Sequence, residues 1–146
     1  KELERFDIEL CEQPIPAGDH DALRKVTETT SIPVFADEDV CTAADVGRLV
    51  GIVDGVNLKL RKCGGIREAM RAIAVARANS MAVMLGCDLE SGVAATAGAH
   101  LAGLVDHADL DGPLLLADDP FPGVSYRRGE MILPDEPGLG VKGAPS

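Results

Sequence analysis

Short apolar runs alternate along the chain with longer segments whose apolar positions recur every three or four residues. FDIELCE (6–12) reads as a strand, and the turn residues PIPAGD follow it. Asp19 can cap a helix through DHDALRKVTETT, where Leu23 and Val26 stand at helical spacing. PVFAD (33–37) reads as a short buried strand, after which Thr42 can cap AADVGRLVG. GVNLKL (55–60) is the third predicted strand. Behind the pair Gly64-Gly65, the segment IREAMRAIAVARANS has the strongest helical pattern, with Ile66, Ala69, Met70, Ile73 and Ala74 on one face. AVMLGC (82–87) predicts a fourth strand, ESGVAATAGAHLAGLV an Ala-rich helix, and HADL (107–110) a fifth strand. The Pro- and Gly-rich stretch from 118 to 146 leaves this pattern. Within it, SYRRGEMIL predicts a hairpin that turns at Arg128-Gly129.

Strands alternating with helices imply a parallel sheet covered by helices. A doubly wound sheet and a closed barrel both fit that alternation. The polar residues favour the barrel, because each predicted strand ends in a chemically capable group. These are Glu12, Asp37, Lys59, the Cys87-Asp88 region, and then Asp109 and Asp111, spaced 22 to 28 residues apart. Barrel active sites are assembled at the C-terminal ends of the strands, where such groups converge. A doubly wound nucleotide-binding sheet predicts a Gly-rich phosphate loop, and neither Gly64-Gly65 nor any other site supplies GxGxxG.

Composition narrows the field further. The formal charge of −10 argues against a nucleic-acid partner, and one Tyr, three Phe and no Trp leave little for base stacking. No apolar run is long enough to span a membrane, so no membrane partner is expected. The opening KELERFDIEL lacks both an initiator Met and the features of a signal peptide, and the chain is expected to be part of a longer one. Cys11, Cys41, Cys63 and Cys87 form no CxxC pair and read as reduced thiols of a cytoplasmic protein.

Three groups carry candidate chemistry. In VNLKLRK, Val56, Leu58 and Leu60 share one face, and Asn57, Lys59 and Arg61 share the other. On a half-exposed strand the polar face would be the solvated one. On a barrel strand sheathed by helices, the apolar face turns outward and Lys59 turns into the mouth. Glu12 and Asp37, on neighbouring strand ends, are hard oxygen donors suited to Mg²⁺, or else ordinary loop acids. Asp109 and Asp111 stand two apart on an extended segment and together could hold one cation, such as an ammonium group. The alternative there is a polar strand terminus. His20, His100 and His107 receive no role.

The motifs CEQPIPAGD, PVFADED, NLKLRKCGG, MLGCDLES and DLDGPLLL, with the closing PDEPGLGV, resemble the muconate-lactonising subgroup of the enolase superfamily, and within it the dipeptide epimerases. The resemblance implies the C-terminal half of a modified TIM-type (β/α)7β barrel. Residues 1–117 would carry barrel strands four to eight, and 118–146 a tail that returns to an N-terminal capping domain outside the chain. It implies Glu12 and Asp37 as two ligands of one Mg²⁺ and Lys59 as one of two lysines flanking the substrate Cα. Asp109 and Asp111 would bind the ammonium of a dipeptide. Cys87, Asp88 and Leu89 would line the pocket for its second side chain, with Glu38 and Glu90 supporting the ligating groups. The implied enzyme is an isomerase that inverts an L-Ala-X dipeptide through an enolate, in peptidoglycan turnover where X is Glu, and is expected to be a homo-oligomer. The first metal aspartate and the Lys-x-Lys motif have no counterpart here. Asp88 is expected to shift preference towards a cationic or neutral second residue, unless it turns away into solvent. Other members of the subgroup, o-succinylbenzoate synthase, N-acylamino acid racemase and muconate cycloisomerase, are the nearest alternatives, but they would leave the aspartate pair without work. A barrel fragment with only a structural or binding role is the alternative from outside enzymology.

Overall fold

The computed structural model describes residues 1–141 and 143. Five parallel strands form one curled sheet: β1 (Cys11–Glu12), β2 (Val34–Ala36), β3 (Gly55–Lys59), β4 (Ala82–Gly86) and β5 (His107–Ala108). Each strand pairs with the next in sequence, so the order runs β1-β2-β3-β4-β5. A doubly wound sheet reverses direction at a switch point. This one never does, and its unbroken order is that of a barrel opened along one side. Helices α1 (His20–Thr29), α2 (Ala43–Leu49), α3 (Leu60–Cys63), α4 (Ile66–Ala78) and α5 (Gly92–Ala99) connect or follow the strands. Among the described residues no helix is long and apolar enough to cross a membrane.

The sequence dictates most of these boundaries locally. Asp19 accepts from the Ala22 amide at 3.0 Å and starts α1, and Thr42 with Asp45 forms a reciprocal capping box on α2. Gly64 and Gly65 adopt φ of 78° and 117°, a region closed to most side chains, and so reverse the chain between α3 and α4. The hairpin of β6 (Ser125–Arg127) and β7 (Glu130–Ile132) turns through Arg128 and Gly129, both at positive φ as a two-residue turn of this kind requires.

The core lies between the convex side of the sheet and the helices. Val34, Val56, Leu58, Val83 and Leu85 are fully buried there with Leu23, Val46 and Leu49. On β3, Val56 and Leu58 therefore face the helices, and Asn57 and Lys59 face the concave side. Phe35 fills the concave interior, edge-on to His107 with ring centroids 5.7 Å apart. A Cβ added at Gly55 would lie 2.5 Å from that ring. Gly55→Ala is therefore expected to destabilise the protein by about 1–3 kcal/mol through overpacking, read as a lower urea midpoint.

The structure departs from the sequence pattern in several places. Only Cys11–Glu12 of the predicted strand 6–12 pairs, opposite Val34 and Phe35 of the short β2, and residues 4–6 form a 3₁₀ turn instead. The buried face of α4 runs through Ala69, Ala72, Ile73 and Ala76, while Ile66 and Met70 stay 38% and 50% exposed. Small alanines let α4 lie close on β3, β4 and α2, which outweighs the larger apolar side chains. The strand predicted to reach residue 60 stops at Lys59, and α3 begins at once. The tail begins against α5: Asp119 accepts from the Gly92 amide at 2.7 Å, and Thr96 accepts from the Val124 amide at 2.7 Å. Of the predicted tail 118–146, residues 142 and 144–146 lie outside the described residues.

Candidate active site

Lys59 ends β3 on the concave side, and its amine lies between two carboxylates. Its Nζ donates to Asp37 Oδ2 at 2.8 Å and to Asp88 Oδ1 at 3.4 Å. Asp37 follows β2 and is 4% exposed, and its second oxygen is held by the ammonium of Lys62 from α3. Burial pushes the Asp37 carboxyl up, but the hydrogen bonds from Lys59 and Lys62 outweigh it and hold the group below the usual carboxylate range. Burial alone would lower the pKa of Lys59. Asp37 and Asp88 reverse that and keep the amine charged.

Glu12, at the end of β1, accepts from Asn57 Nδ2 at 2.8 Å. Its pKa is raised, first by desolvation of the carboxylate and then by hydrogen bonding and charge repulsion from Asp37. Two carboxylates from adjacent strand ends are thus pressed together, one anionic and one biased towards its acid form. A hard divalent cation would relieve such an arrangement, and a pair of carboxylate oxygen donors is of the kind that suits Mg²⁺. Among the described residues no group of three or more His, Cys, Asp or Glu could hold a metal. Asn57 is 1% exposed and its Oδ1 has no partner among the described residues, while Gly86 leaves the room it occupies, since a Cβ there would lie 2.5 Å from the amide.

Asp109 and Asp111 follow β5, the last strand of the same sheet. Both are exposed, because Leu110 between them is buried in the core and anchors the segment. No hydrogen bond or ion pair among the described residues joins either of them to Lys59 or Asp37. Tyr126 of the hairpin donates its hydroxyl to the Leu110 carbonyl, and burial pushes its own pKa up to about 12. Cys87 Sγ accepts from the Gly112 amide at 3.2 Å and lies 3.8 Å from Asp111 Oδ1. The thiol therefore braces the turn that carries Asp111. Leu89 is 66% exposed. Glu38 is exposed and has no hydrogen bond to this cluster among the described residues. Glu90 lies close enough to Asp88 and Arg61 to feel both charges, and burial followed by repulsion from Asp88 raises its pKa.

The predicted solvent-facing alternative for Asp88 does not occur. Both its oxygens are engaged, one by Lys59 and the other by Nε and a terminal nitrogen of Arg61. Arg61 does not continue the polar face of the strand, since β3 has ended and the side chain leaves from α3 towards Asp88.

Sequence reasoning passed over three further members. Gln13, directly after Glu12, sits at φ 36° and bridges two loops. Its Oε1 accepts from the Asp37 amide at 2.8 Å, and its Nε2 donates to Asp39 Oδ2 at 2.7 Å and to the Ile15 carbonyl at 2.9 Å. Asp39 in turn accepts from the Gly18 amide at 2.8 Å and pairs with His20 at 3.1 Å. Lys62 and Asn57 complete the set. Their signals were position alone: Asn57 two before Lys59 on its strand face, and Lys62 three after it.

Comparison with known proteins places the fold. The family described as enolase C-terminal domain-like matches residues 1–145. The L-Ala-D/L-Glu epimerase of Bacteroides thetaiotaomicron is 42% identical over 139 residues, covering 95% of this chain and 36% of that protein. The substrate-liganded L-Ala-D/L-Glu epimerase from Bacillus subtilis superposes with a TM-score of 0.93 at 36% identity, over 99% of this chain and 43% of that one. The dipeptide epimerase from Cytophaga hutchinsonii, complexed with Mg and D-Ala-L-Val, gives 0.89 at 37% identity, over 96% of this chain and 40% of that one. The chain thus spans well under half the length of each relative. With a family match across nearly its whole length and a sheet that superposes on half a barrel, the chain belongs to the enolase C-terminal domain-like family of the enolase superfamily.

Proposed function

We propose that the protein carrying this chain is a Mg²⁺-dependent dipeptide epimerase that inverts the Cα of the second residue by a 1,1-proton transfer. The observation that carries this reading is the placement of Lys59 beside Asp37, with Glu12 adjacent, on the concave rim of a sheet shared with dipeptide epimerases. Glu12 and Asp37 would hold the metal, together with a ligand from the rest of the protein. When bound, Mg²⁺ supplies Lewis-acid stabilisation to the substrate carboxylate.

An α-proton beside a carboxylate is very weakly acidic, so the negative charge of the enolate must be met as it forms. In the direction where Lys59 returns a proton, the charged form favoured by Asp37 and Asp88 is the competent one. An opposed neutral lysine, outside this chain, takes the proton from the other face. For the other epimer the two amines exchange roles; in either direction one C–H bond breaks first, its proton passing to the neutral amine, and a new C–H bond then forms on the opposite face with a proton from the charged amine. Asp109 and Asp111 present two exposed carboxylates to the N-terminal ammonium of the dipeptide, and Cys87, Asp88 and Leu89 border the second side chain. Because Lys59 and Arg61 already compensate the Asp88 charge, a neutral second residue is favoured over a cationic one.

The test is Mg²⁺-dependent deuterium incorporation from D₂O at the second-residue Cα, using free and N-acetylated dipeptides. The free dipeptide is expected to exchange and epimerise faster by on the order of 100-fold, since acetylation leaves the aspartate pair without its cation. Equal or faster turnover of the acetylated compound would instead indicate an N-acylamino acid racemase.

A further inference from the structure

We propose that Asp88, buttressed by Arg61, is a positioning residue that fixes the Lys59 amine for proton transfer at one face of the substrate. The inference rests on the reading of Lys59 as a proton-transfer residue.

Lysine carries its charge at the end of four rotatable methylenes, so its strand position alone does not place Nζ. Two neighbouring strand ends do so here. Lys59 pairs in register with Gly86, and Asp88 stands two residues beyond that glycine, just past β4. Asp37 approaches from β2 on the opposite side. The amine is therefore held between strands on both flanks, at 2.8 Å from one carboxylate and 3.4 Å from the other. The Asp37 side also serves Lys62 and lies beside Glu12, so it is shared among several groups. Among the described residues, Asp88 is the partner that Lys59 shares only with Arg61.

Arg61 gives Asp88 its direction. Its Nε and a terminal nitrogen both donate to Oδ2, the Nε at 2.9 Å, which leaves Oδ1 turned to Lys59. A planar guanidinium that contacts one oxygen through two nitrogens restricts the carboxylate more than a lysine could. The Arg61 side chain is 67% exposed and the Lys59 side chain 15% exposed, so the relay runs from the solvent edge into the concave rim. Small displacements of a reacting group cost heavily, up to about 100-fold in rate for a shift near 1 Å. Losing one of two brackets around Nζ should cost a fraction of that.

The effect is one-sided, which separates it from damage to the fold. In the full protein with Mg²⁺, exchange of each pure epimer in D₂O, counted before inversion, reports the amine on its own face. Asp88→Ala is expected to slow exchange of the epimer whose α-proton faces Lys59 by at least tenfold relative to its mirror partner. Asp88→Asn, which keeps an acceptor, should recover part of that ratio. Arg61→Met, altered at the exposed end, should move the ratio the same way by a smaller factor. Equal slowing of both epimers by Asp88→Ala would overturn the inference, and so would an unchanged ratio with a reordered preference across a dipeptide panel. Lys59→Ala distinguishes the two levels: if it fails to make exchange one-sided, the reading of Lys59 itself falls and this inference with it.

Discussion

Lys59→Ala is expected to lower kcat for epimerisation by about 10²–10⁴-fold, the range that a positioned proton-transfer group supplies, with little change in KM. The groups proposed to bind substrate lie elsewhere, at the aspartate pair and at the metal that Glu12 and Asp37 would hold, so binding should survive. The measurement is steady-state epimerisation followed by polarimetry, with α-deuterium incorporation as a second readout. The loss must be asymmetric: exchange of one epimer should vanish, while the opposed lysine still exchanges the other. A symmetric loss would mean that Lys59 only holds the two carboxylates in place.

Asp37→Asn is expected to have the broadest effect of any single change. It removes one of two metal carboxylates, so Mg²⁺-dependent activity should fall below detection. It also leaves two ammonium groups, with Lys59 and Lys62 side chains 15% and 17% exposed, without their shared anion. Breaking a buried pair on one side costs about 3 kcal/mol, somewhat less where an amide still accepts a hydrogen bond. The pH dependence follows from the direction of each shift. Asp37 is depressed in the folded protein, so its contribution to stability is present above its ordinary carboxylate pKa and is lost as pH falls through the lowered value. Glu12 is raised, so its contribution is present below its ordinary pKa and disappears as pH rises through the folded value. Urea midpoints in chelator should therefore show two opposing slopes in the wild type. Asp37→Asn should make the acid-side decline shallower, the remainder coming from other depressed carboxylates such as Asp39, Asp45 and Asp106.

The parts of this site that were legible in the sequence are those governed by strand geometry. Side chains alternate across a strand, and parallel strands sheathed by helices turn their apolar face outward, so Val56, Leu58 and Lys59 could be placed without coordinates. Spacing of about one βα unit then put Glu12, Asp37, Lys59 and Asp109 at one edge. That reasoning stops where the strand stops. Arg61 was assigned to the Lys59 face because the strand was read through Leu60, and one turn of α3 sent it to Asp88 instead. Asp88 itself lies past the end of β4, where no pleat dictates direction, which left two readings open. The partners of Gln13, Asn57 and Lys62 were out of reach for a different reason: each acts through hydrogen bonds to residues 24 to 45 positions away, which no local pattern encodes. The face of α4 shows a third limit. Hydrophobicity alone pointed to Ile66 and Met70, whereas close packing against β3 and β4 selected the alanines.

A crystal structure of the full protein with Mg²⁺ and a dipeptide would decide whether Glu12, Asp37, Lys59 and the aspartate pair form one site. One ion bonded to both Glu12 and Asp37 is expected, at about 2.1 Å, the usual Mg²⁺–oxygen distance. Lys59 Nζ should face the second-residue Cα, and Asp109 and Asp111 should close on the N-terminal ammonium. An ion bound without Glu12 and Asp37, or a dipeptide whose Cα lies beyond the reach of Lys59, would contradict a single site.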